Sequence, residues 1–366
     1  MENKLIDVLL THVIVRSDFC DSFCKYCYER ETHDEKMACG YTYKGELEER
    51  MEKIFQFGTE YFSSPMLKIN GGEIFLMQDL EDFIERVLKD YKYLLLQTNG
   101  RHLTKEKMDY IIKSKRINLQ ISLDGHDLEM NEFRFDQQEV LDKILNSVRY
   151  LVKNDVYVEL TSVLHKKNTA RYWEFVEYLM NFERGQCRNN FKLTPILIVD
   201  KEGTFKSCRE DSSGLEKVIA NYEKYQDMLP PKIYLENLLS LMRGKRLNYS
   251  CYNPAVTLNM IDKGDIKACT NILPENVLNV GNVFEGNIEE TVNKFGKTKF
   301  QSLLLNTRQR VPLCRNCYNF CSIYNLYFNG LITLDELCSR YLMFERPEMR
   351  EQLIRIKKGL EENSES

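Results

Sequence analysis

The sequence predicts an α/β fold built on a parallel sheet, followed by a smaller cysteine-rich domain. Strand-like apolar runs alternate with helix-like stretches over the first two hundred residues, as in a chain of βα units. Six of the twelve cysteines fall in the last third of the chain, where regular periodicity fades. The 366 residues are enough for one large domain or two of ordinary size.

The individual elements follow from the spacing of apolar residues. Six strands are predicted at Val8–Val15, Met66–Ile69, Tyr93–Leu96, Ile117–Leu123, Val156–Val163 and Phe191–Val199. The clearest helix carries an apolar stripe formed by Val140, Leu141, Ile144, Leu145, Val148, Leu151 and Val152. Further helices are predicted at Lys44–Phe62, Leu80–Tyr91, Lys105–Lys113 and Ala170–Met180. Six units are too few for an eightfold barrel, and periodicity does not distinguish a partial barrel from an open sheet.

The predicted division of the chain follows these changes in pattern. Residues 1–205 form the βα domain, and residues 206–250 form a mostly helical bridge that is broken by Pro230 and Pro231. The dense cysteines and turn signals of residues 251–345 indicate a small domain organised by metal rather than by a large core. Residues 346–366 are predicted to be a short polar helix with a frayed tail at Glu361–Ser366.

Composition excludes several classes of protein. A net charge of -4 argues against a long basic surface for nucleic acid. No apolar run approaches the roughly eighteen residues of a membrane helix, and Met1–Leu10 is interrupted by Lys4 and Asp7, unlike a secretion signal. A cytoplasmic location is therefore expected. Twelve cysteines in such a chain favour metal or redox chemistry over a disulfide framework.

Three cysteines follow directly on the first strand. Cys20, Cys24 and Cys27 have the spacing C-x3-C-x2-C, and no histidine lies at the usual spacing of a fourth zinc ligand, His33 being the nearest. Three thiolates on one loop can hold three irons of a four-iron cluster and leave the fourth iron open. This spacing favours an iron–sulfur cluster; a zinc site or three unrelated thiols are the alternatives.

The motif, with Tyr26 before its third cysteine, resembles the signature of the radical S-adenosylmethionine (SAM) superfamily. Several later segments match the family in order, at the ends of successive strands, where ligands of parallel α/β folds bind. The resemblance implies that these residues contact SAM: Tyr26, Gly71, Gly72, Glu73, Asn99, Ser122, Asp124 and Arg134. The position of Asn168 after the fifth predicted strand also resembles the family pattern, whereas Ile74 stands where the family usually has a proline.

The resemblance implies a partial (β/α)6 TIM-like barrel over residues 6–205. It also implies a [4Fe-4S] cluster whose open iron binds SAM and whose electron cleaves SAM to a 5′-deoxyadenosyl radical, which abstracts hydrogen from a substrate. No catalytic residue is assigned beyond the cluster ligands.

The C-terminal cysteines form a second set, Cys251, Cys269, Cys314, Cys317, Cys321 and Cys338. Their spacing suits iron–sulfur clusters or a structural zinc site. The segment resembles the SPASM domain, which implies one or two auxiliary [4Fe-4S] clusters, but the pattern is one cysteine short. Cys321 could complete a first cluster with Cys251 and Cys269, or a second with Cys314, Cys317 and Cys338.

Other candidates are weaker. Cys39, Cys187 and Cys208 lie outside both sets and are expected to be incidental thiols, with hydrogen donation to a substrate radical as the alternative. His126 could touch SAM or substrate, or be a satisfied loop histidine. Trp173, in the aromatic stretch Tyr172–Phe182, is expected on the core face of a helix.

The leading functional prediction is a radical SAM enzyme that matures a ribosomally made peptide, forming a thioether or carbon–carbon cross-link. Few residues precede the first predicted strand, which leaves little room for an N-terminal peptide-recognition domain. A leader peptide is therefore expected to be bound by the barrel, by the cysteine-rich domain or by a separate protein. An electron donor such as flavodoxin or ferredoxin is expected, with no nucleic acid and no membrane partner.

Three alternatives remain from the sequence. The first is an anaerobic sulfatase-maturating, formylglycine-forming enzyme; against it, Thr270 follows Cys269 where that family has an aspartate. The second is a peptide epimerase, and the third is a non-catalytic iron–sulfur electron carrier.

Overall fold

The structure, a computed structural model, describes residues 5–27, 40–182, 190–197, 211–247, 250–269, 279–307, 314 and 317–365. Its strands are β1 Ile6–Asp7, β2 Leu10–Val15, β3 Phe62–Ser63, β4 Met66–Gly71, β5 Tyr93–Thr98, β6 Ile117–Ser122, β7 Val158–Leu164, β8 Phe191–Leu197, β9 Thr257–Ile261, β10 Asp265–Lys267 and β11 Asn279–Asn282.

Helices separate most of these strands. In the βα region they are Glu46–Tyr61, Leu80–Asp90, Lys105–Ser114, Leu128–Asn131, Gln138–Lys153 and Tyr172–Phe182, with a short 3-10 helix at Ile74–Leu76. Beyond it they are Ser213–Ala220, Tyr222–Tyr225, Lys232–Met242, Asn253–Val256, Ile288–Lys294, Lys299–Thr307, Cys321–Phe328, Leu334–Arg340, Leu342–Glu345 and Pro347–Glu365. In the part of the chain that the structure describes, none of the helices is long and apolar enough to cross a membrane.

Nine strands form one sheet in the order β11-β10-β9-β2-β4-β5-β6-β7-β8. The six strands from β2 to β8 are parallel and follow one another in chain order, as in a curling βα barrel. Strands β8 and β11 are the two edges of the sheet in the described ranges, so the barrel is partial. The predicted α/β class and partial (β/α)6 architecture are confirmed.

The predicted first strand is divided in two. Ile6–Asp7 pairs with Phe62–Ser63 in a separate two-stranded sheet, and Leu10–Val15 enters the main sheet. Between them the Val8 and Leu9 amides donate to the carbonyls of Ser63 and Val256, which shifts the chain from one pairing to the other. The other predicted strands and helices lie where expected, within three residues at each end.

The C-terminal region is joined to the barrel by main-chain hydrogen bonds. Strand β9 is parallel to β2, with Leu10 opposite Thr257 and Ile14 opposite Ile261. Its buried residues belong to the same hydrophobic cluster as the barrel. Strand β9 therefore extends the barrel sheet, and its apolar residues share the barrel interior. The predicted domain boundaries stay predictions.

Two helices pack an apolar face into the core. The last one runs from Pro347 to Glu365, longer than the short helix predicted, because Met349 and Leu353 pack into the core. In the helix Tyr172–Phe182 the buried face is formed by Tyr172, Phe175, Val176 and Leu179. Trp173 is partly buried and packs against the edge of the core, with the Lys217 ammonium 4.6 Å from its ring centre.

Candidate active site at the end of the barrel

The first cysteine motif lies in a loop beyond the carboxyl end of β2. Cys20 and Cys24 are buried and Cys27 is half-buried. The Cys27 amide donates to the Cys24 carbonyl at 3.0 Å, and the Lys25 amide donates to the carbonyl of Phe133 at 2.8 Å, which fixes the loop against the barrel. The loop therefore has a defined conformation set by contacts from within the chain.

Burial controls the chemistry of these thiols. It raises the pKa of Cys20 to about 12, so the group is a thiol at neutral pH until a metal displaces the proton. Burial also raises the pKa of Cys24, and the nearby Arg134 partly offsets this. In the described ranges, no three His, Cys, Asp or Glu side chains converge as the ligands of one metal ion would. Thiolates of a four-iron cluster bind different irons and need not converge in this way.

Gly71 and Gly72 bring the end of β4 into direct backbone contact with this loop. A Cβ atom on Gly71 would lie 1.8 Å from the Val15 carbonyl oxygen, and one on Gly72 would lie 1.8 Å from that of Phe19. The Gly72 amide donates to the Arg16 carbonyl at 3.2 Å. Both glycines are therefore required by close approach of two backbones.

Glu73 connects three neighbouring segments. Its side chain is 1% exposed. One carboxylate oxygen accepts from the Phe75 amide at 3.0 Å and from the Thr98 hydroxyl at 2.6 Å, and the other accepts from the Asn99 amide at 2.6 Å. Burial raises its pKa, an effect that these hydrogen bonds oppose. In this structure Glu73 holds the ends of β4 and β5 together and caps the 3-10 helix that begins at Ile74.

Asn99 extends this connection to the cysteine loop. Its side-chain amide donates to Asp21 at 2.8 Å and to the Ser22 hydroxyl at 2.9 Å. Asp21 also accepts from His102 at 2.9 Å and pairs with Arg101 at 3.0 Å. Burial raises the pKa of Asp21, but the hydrogen bonds from His102 and Asn99 outweigh it and hold the pKa below its ordinary value.

Asp124 is the centre of a second network. Its side chain is fully buried, and one oxygen accepts from the Val163 amide at 2.8 Å. The other accepts a short hydrogen bond from the Tyr26 hydroxyl and lies 2.9 Å from Arg134 Nε. Burial raises the pKa of Asp124, but the Arg134 charge, together with the contacts from His165 and Tyr26, more than reverses this. The structure thus gives Asp124 a loop-holding role, and its contact with SAM stays a prediction.

Arg134 connects this network with the cysteines. Its guanidinium lies 5.2 Å from the Tyr26 ring centre and 4.0 Å from the Cys24 sulfur. A buried cation beside a cysteine favours the thiolate form that binds iron.

The remaining predicted residues lie at the same end of the barrel. Ser122 is buried at the end of β6. Asn168 holds the loop after β7, because its amide donates to the carbonyls of Asp124 and Val163. The His126 ring stacks on Tyr178 at 5.0 Å between centres, as a packed loop histidine would.

Sequence reasoning missed His165, which follows β7. The side chain is fully buried, its ring stacks on Phe133 at 4.4 Å, and its Nε2 lies 3.6 Å from Asp124. A polar residue directly after a buried parallel strand is the signal that could have identified it. Sequence reasoning also missed Asp21, which lies inside the cysteine motif, and His102, which lies three residues after Asn99.

A second group of cysteines surrounds the start of the helix Cys321–Phe328. The Asn325 amide, one turn along this helix, donates to the Cys251 sulfur at 3.8 Å. Asn319 donates to the Cys317 sulfur at 3.7 Å and accepts from the Cys321 amide at 3.0 Å. Burial raises the pKa of Cys321 to about 12, and the thiols of Cys251 and Cys317 lie close enough to influence it. The structure thus brings together cysteines that are distant in the sequence.

Cys338 has a different environment. It is 1% exposed, and its thiol donates to the Phe344 carbonyl at 3.2 Å. The charged groups with the largest effects on its pKa are Arg350, Asp335 and Glu345. Cys269 follows β10, and Cys314 accepts at its carbonyl from the Cys317 amide at 3.4 Å. Cys39, Cys187 and Cys208 lie outside the described residues.

The arrangement fits a cluster and an anionic or zwitterionic ligand. The cysteine loop is held by two separate hydrogen-bond networks, one around Glu73 and Asn99 and one around Asp124. The glycine cradle admits no side chain, so main-chain groups lie at its surface. Cys20, Cys24 and Cys27 are the residues that would hold the cluster, with Arg134 as the cation beside it.

Comparison with known proteins agrees with this geometry. Residues 14–179 match the family model described as "Radical SAM superfamily". Among solved structures, the chain is similar to Streptococcus suis SuiB bound to precursor peptide SuiA, with 16% identity, 88% of this chain and 74% of that chain covered, and a TM-score of 0.57. It is also similar to anSMEcpe with bound AdoMet, with 18% identity, 95% and 99% covered, and a TM-score of 0.59. The comparison with curated proteins gave no match.

Proposed function

From the premise that residues 14–179 form a radical SAM domain, which makes the chain a radical SAM enzyme, we propose that it modifies a peptide or protein substrate. The observation that carries the proposal is the placement of two cysteine groups at opposite ends of one partial barrel. Cys20–Cys27 follows the carboxyl end of β2, whereas Cys251 precedes β9, the parallel neighbour of β2. A substrate in the barrel would lie between them.

The interior between these two groups is polar. Glu159 of β7 accepts hydrogen bonds from Gln120 of β6 at 2.7 Å and from Thr194 of β8. His12 of β2 is hydrogen-bonded to Asn70 of β4 at 2.7 Å. Buried polar groups in a barrel suit a substrate that carries amide groups. The SuiB structure with precursor peptide SuiA and an anSMEcpe structure with AdoMet and the Cp18Cys peptide contain peptides in folds of this kind.

The chain's own residues would position the reacting groups. A four-iron cluster with SAM bound supplies the electron and the 5′-deoxyadenosyl group that abstracts hydrogen. Cys20, Cys24 and Cys27 hold the cluster, Tyr26 and Asp124 fix their loop, and Arg134 provides positive charge. The predicted SAM contacts of Gly71, Gly72, Glu73, Asn99 and Ser122 belong to this proposal.

The second cysteine group is proposed to hold one auxiliary cluster in a SPASM-like region. Cys251, Cys317 and Cys321 are the ligands favoured by geometry. The register of β9 and β10 places Lys267 opposite Asn259, so Cys269, two residues on, is directed toward Thr257 at the same end. Thr257 lies 3.2 Å from the Tyr324 hydroxyl, one turn beyond Cys321. Cys269 is therefore the proposed fourth ligand.

The product proposed is a thioether or carbon–carbon cross-link in a ribosomally made peptide. The protein is further proposed to be cytoplasmic, to receive electrons from a flavodoxin or ferredoxin, and to use either its own barrel or a separate protein for leader binding. Formylglycine formation is a second candidate, because the chain and the anSMEcpe structure cover each other almost completely.

The test is anaerobic reconstitution followed by iron counting and by measurement of 5′-deoxyadenosine with SAM and dithionite. About eight irons are expected, four for each cluster. A Cys20→Ala/Cys24→Ala/Cys27→Ala variant should lose about four irons and all SAM cleavage. Retention of SAM cleavage by this variant would refute the proposal. With a candidate peptide, a linked pair of residues indicates cross-linking, whereas a hydrazine-reactive aldehyde indicates formylglycine.

A further inference from the structure

Lys68 is a buried cation inside the barrel. It lies in the middle of β4, opposite His12 of β2, and the residue is 8% exposed. Among the described residues its ammonium forms no salt bridge. A buried charge without a partner is costly, so its burial points to an anion at this position.

Burial lowers the pKa of Lys68, and two acidic side chains, Cys321 and Glu159, oppose this effect. One of them already has other partners. Glu159 accepts hydrogen bonds from Gln120 and Thr194, both in the strands next to its own. Its carboxylate is therefore already bound by the neighbouring strands, whereas Cys321 is a thiol that becomes an anion when it binds a metal.

The ammonium of Lys68 lies close to the second cysteine group. It is 5.1 Å from the ring centre of Phe320, the residue directly before Cys321. Cys321 in turn is grouped with Cys251 and Cys317 through the hydrogen bonds of Asn325 and Asn319. The ammonium of Lys68 thus lies beside the second cysteine group, away from the loop that carries Cys20, Cys24 and Cys27.

We propose that Lys68 is the counter-charge of the auxiliary cluster and raises its reduction potential. The inference rests on the proposed auxiliary site. A four-iron cluster with four thiolates carries a net charge of two minus when oxidised and three minus when reduced, so a fixed cation nearby stabilises the reduced form more. Lys68 acts through its charge on the auxiliary cluster and does not contact SAM.

The experiment is a potentiometric titration of Lys68→Met and Lys68→Arg, followed by electron paramagnetic resonance. Both are made in the Cys20→Ala/Cys24→Ala/Cys27→Ala background, where only auxiliary iron remains. Lys68→Met should keep its iron and shift the midpoint potential to more negative values, and Lys68→Arg should stay near the parent. Lys192→Met is the matched control, since Lys192 is also buried but donates to the Asp227 carbonyl.

Each result decides a different question. Loss of iron in Lys68→Met but not in Lys68→Arg also supports a counter-charge, because arginine keeps the positive charge of the side chain and methionine removes it. An unchanged potential in iron-loaded Lys68→Met overturns the inference, as does equal loss of iron in both variants. Absence of any iron in the parent background refutes the auxiliary site itself, before Lys68 is tested.

Discussion

The Tyr26 hydroxyl donates a hydrogen bond to the Asp124 carboxylate, and this bond ties the cysteine loop to the segment that follows β6. The two residues are 98 positions apart in the chain. Arg134 neutralises the same carboxylate and reaches the sulfur of Cys24. The geometry of the cluster loop thus depends on a buried ion pair outside the cysteine motif.

Substitution of Asp124 should therefore disturb both stability and the cluster. Asp124→Asn leaves Arg134 buried without its counter-ion, which should cost about 3–5 kcal/mol of unfolding free energy. Tyr26→Phe removes one hydrogen bond and should cost about 1–2 kcal/mol. Urea unfolding of the metal-free chain measures both. Asp127→Asn, which affects a half-exposed ion pair with Arg171, is the control. Equal effects of Asp124→Asn and Asp127→Asn would contradict this account.

The contact of Gly72 with Phe19 gives a second prediction. In Gly72→Ala the new Cβ would lie 1.8 Å from a main-chain oxygen, so the cysteine loop must move. We expect loss of about four irons and of 5′-deoxyadenosine formation, with auxiliary iron retained. Gly359→Ala is the matched control, because nothing lies within 4 Å of its Cβ position. A Gly72→Ala protein with full iron and full SAM cleavage would show that the close contact is not needed.

His12 predicts a pH dependence of stability. Burial, with the charge of Lys68 as a smaller cause, lowers the pKa of His12 from 6.5 to about 3. The unfolded chain takes up a proton below pH 6.5 that the folded chain does not, so this contribution to stability is complete above 6.5 and declines as the pH falls toward 3.

The difference in unfolding free energy between wild type and His12→Gln should therefore change by about 1.2 kcal/mol between pH 6 and 5. Urea unfolding of the metal-free proteins at these two pH values measures it. His102→Gln, at a partly exposed position, is the comparison. A pH-independent difference for His12→Gln would mean that His12 takes up a proton as readily in the folded state as in the unfolded chain.

The environments of Cys321 and Cys338 predict different effects on iron. Cys321→Ser should remove about four irons and leave SAM cleavage intact, because the SAM-binding cluster lies at the other end of the barrel. Cys338→Ser should retain all iron, because the Cys338 thiol donates a hydrogen bond to the Phe344 carbonyl and is not proposed to bind iron. Iron and sulfide counts on both variants test this. Loss of about four irons from Cys338→Ser would instead place Cys338 among the ligands, as the resemblance to SPASM domains implies.

The sequence by itself determined the alternation of strands and helices and the cysteine loop after the first strand. These features are local: apolar periodicity fixes an element, and C-x3-C-x2-C places three thiols on one turn. It also indicated Gly71, Gly72, Glu73 and Asp124, because polar and glycine residues at the ends of parallel strands meet at one edge. Lys68, a charged residue within the apolar run Met66–Ile69, could also have been recognised from the sequence as a buried cation, but it was not.

Only the tertiary structure decided which of these residues touch. Whether Cys321 belongs with Cys251 depends on the packing of the helix Cys321–Phe328 against the segment before β9, and spacing in the sequence cannot specify such a contact. The same is true of β9 beside β2, of His165 beside Asp124 and of Lys68 beside Phe320. Each joins segments far apart in the chain, so its geometry is set by the packing of the whole barrel rather than by local propensity.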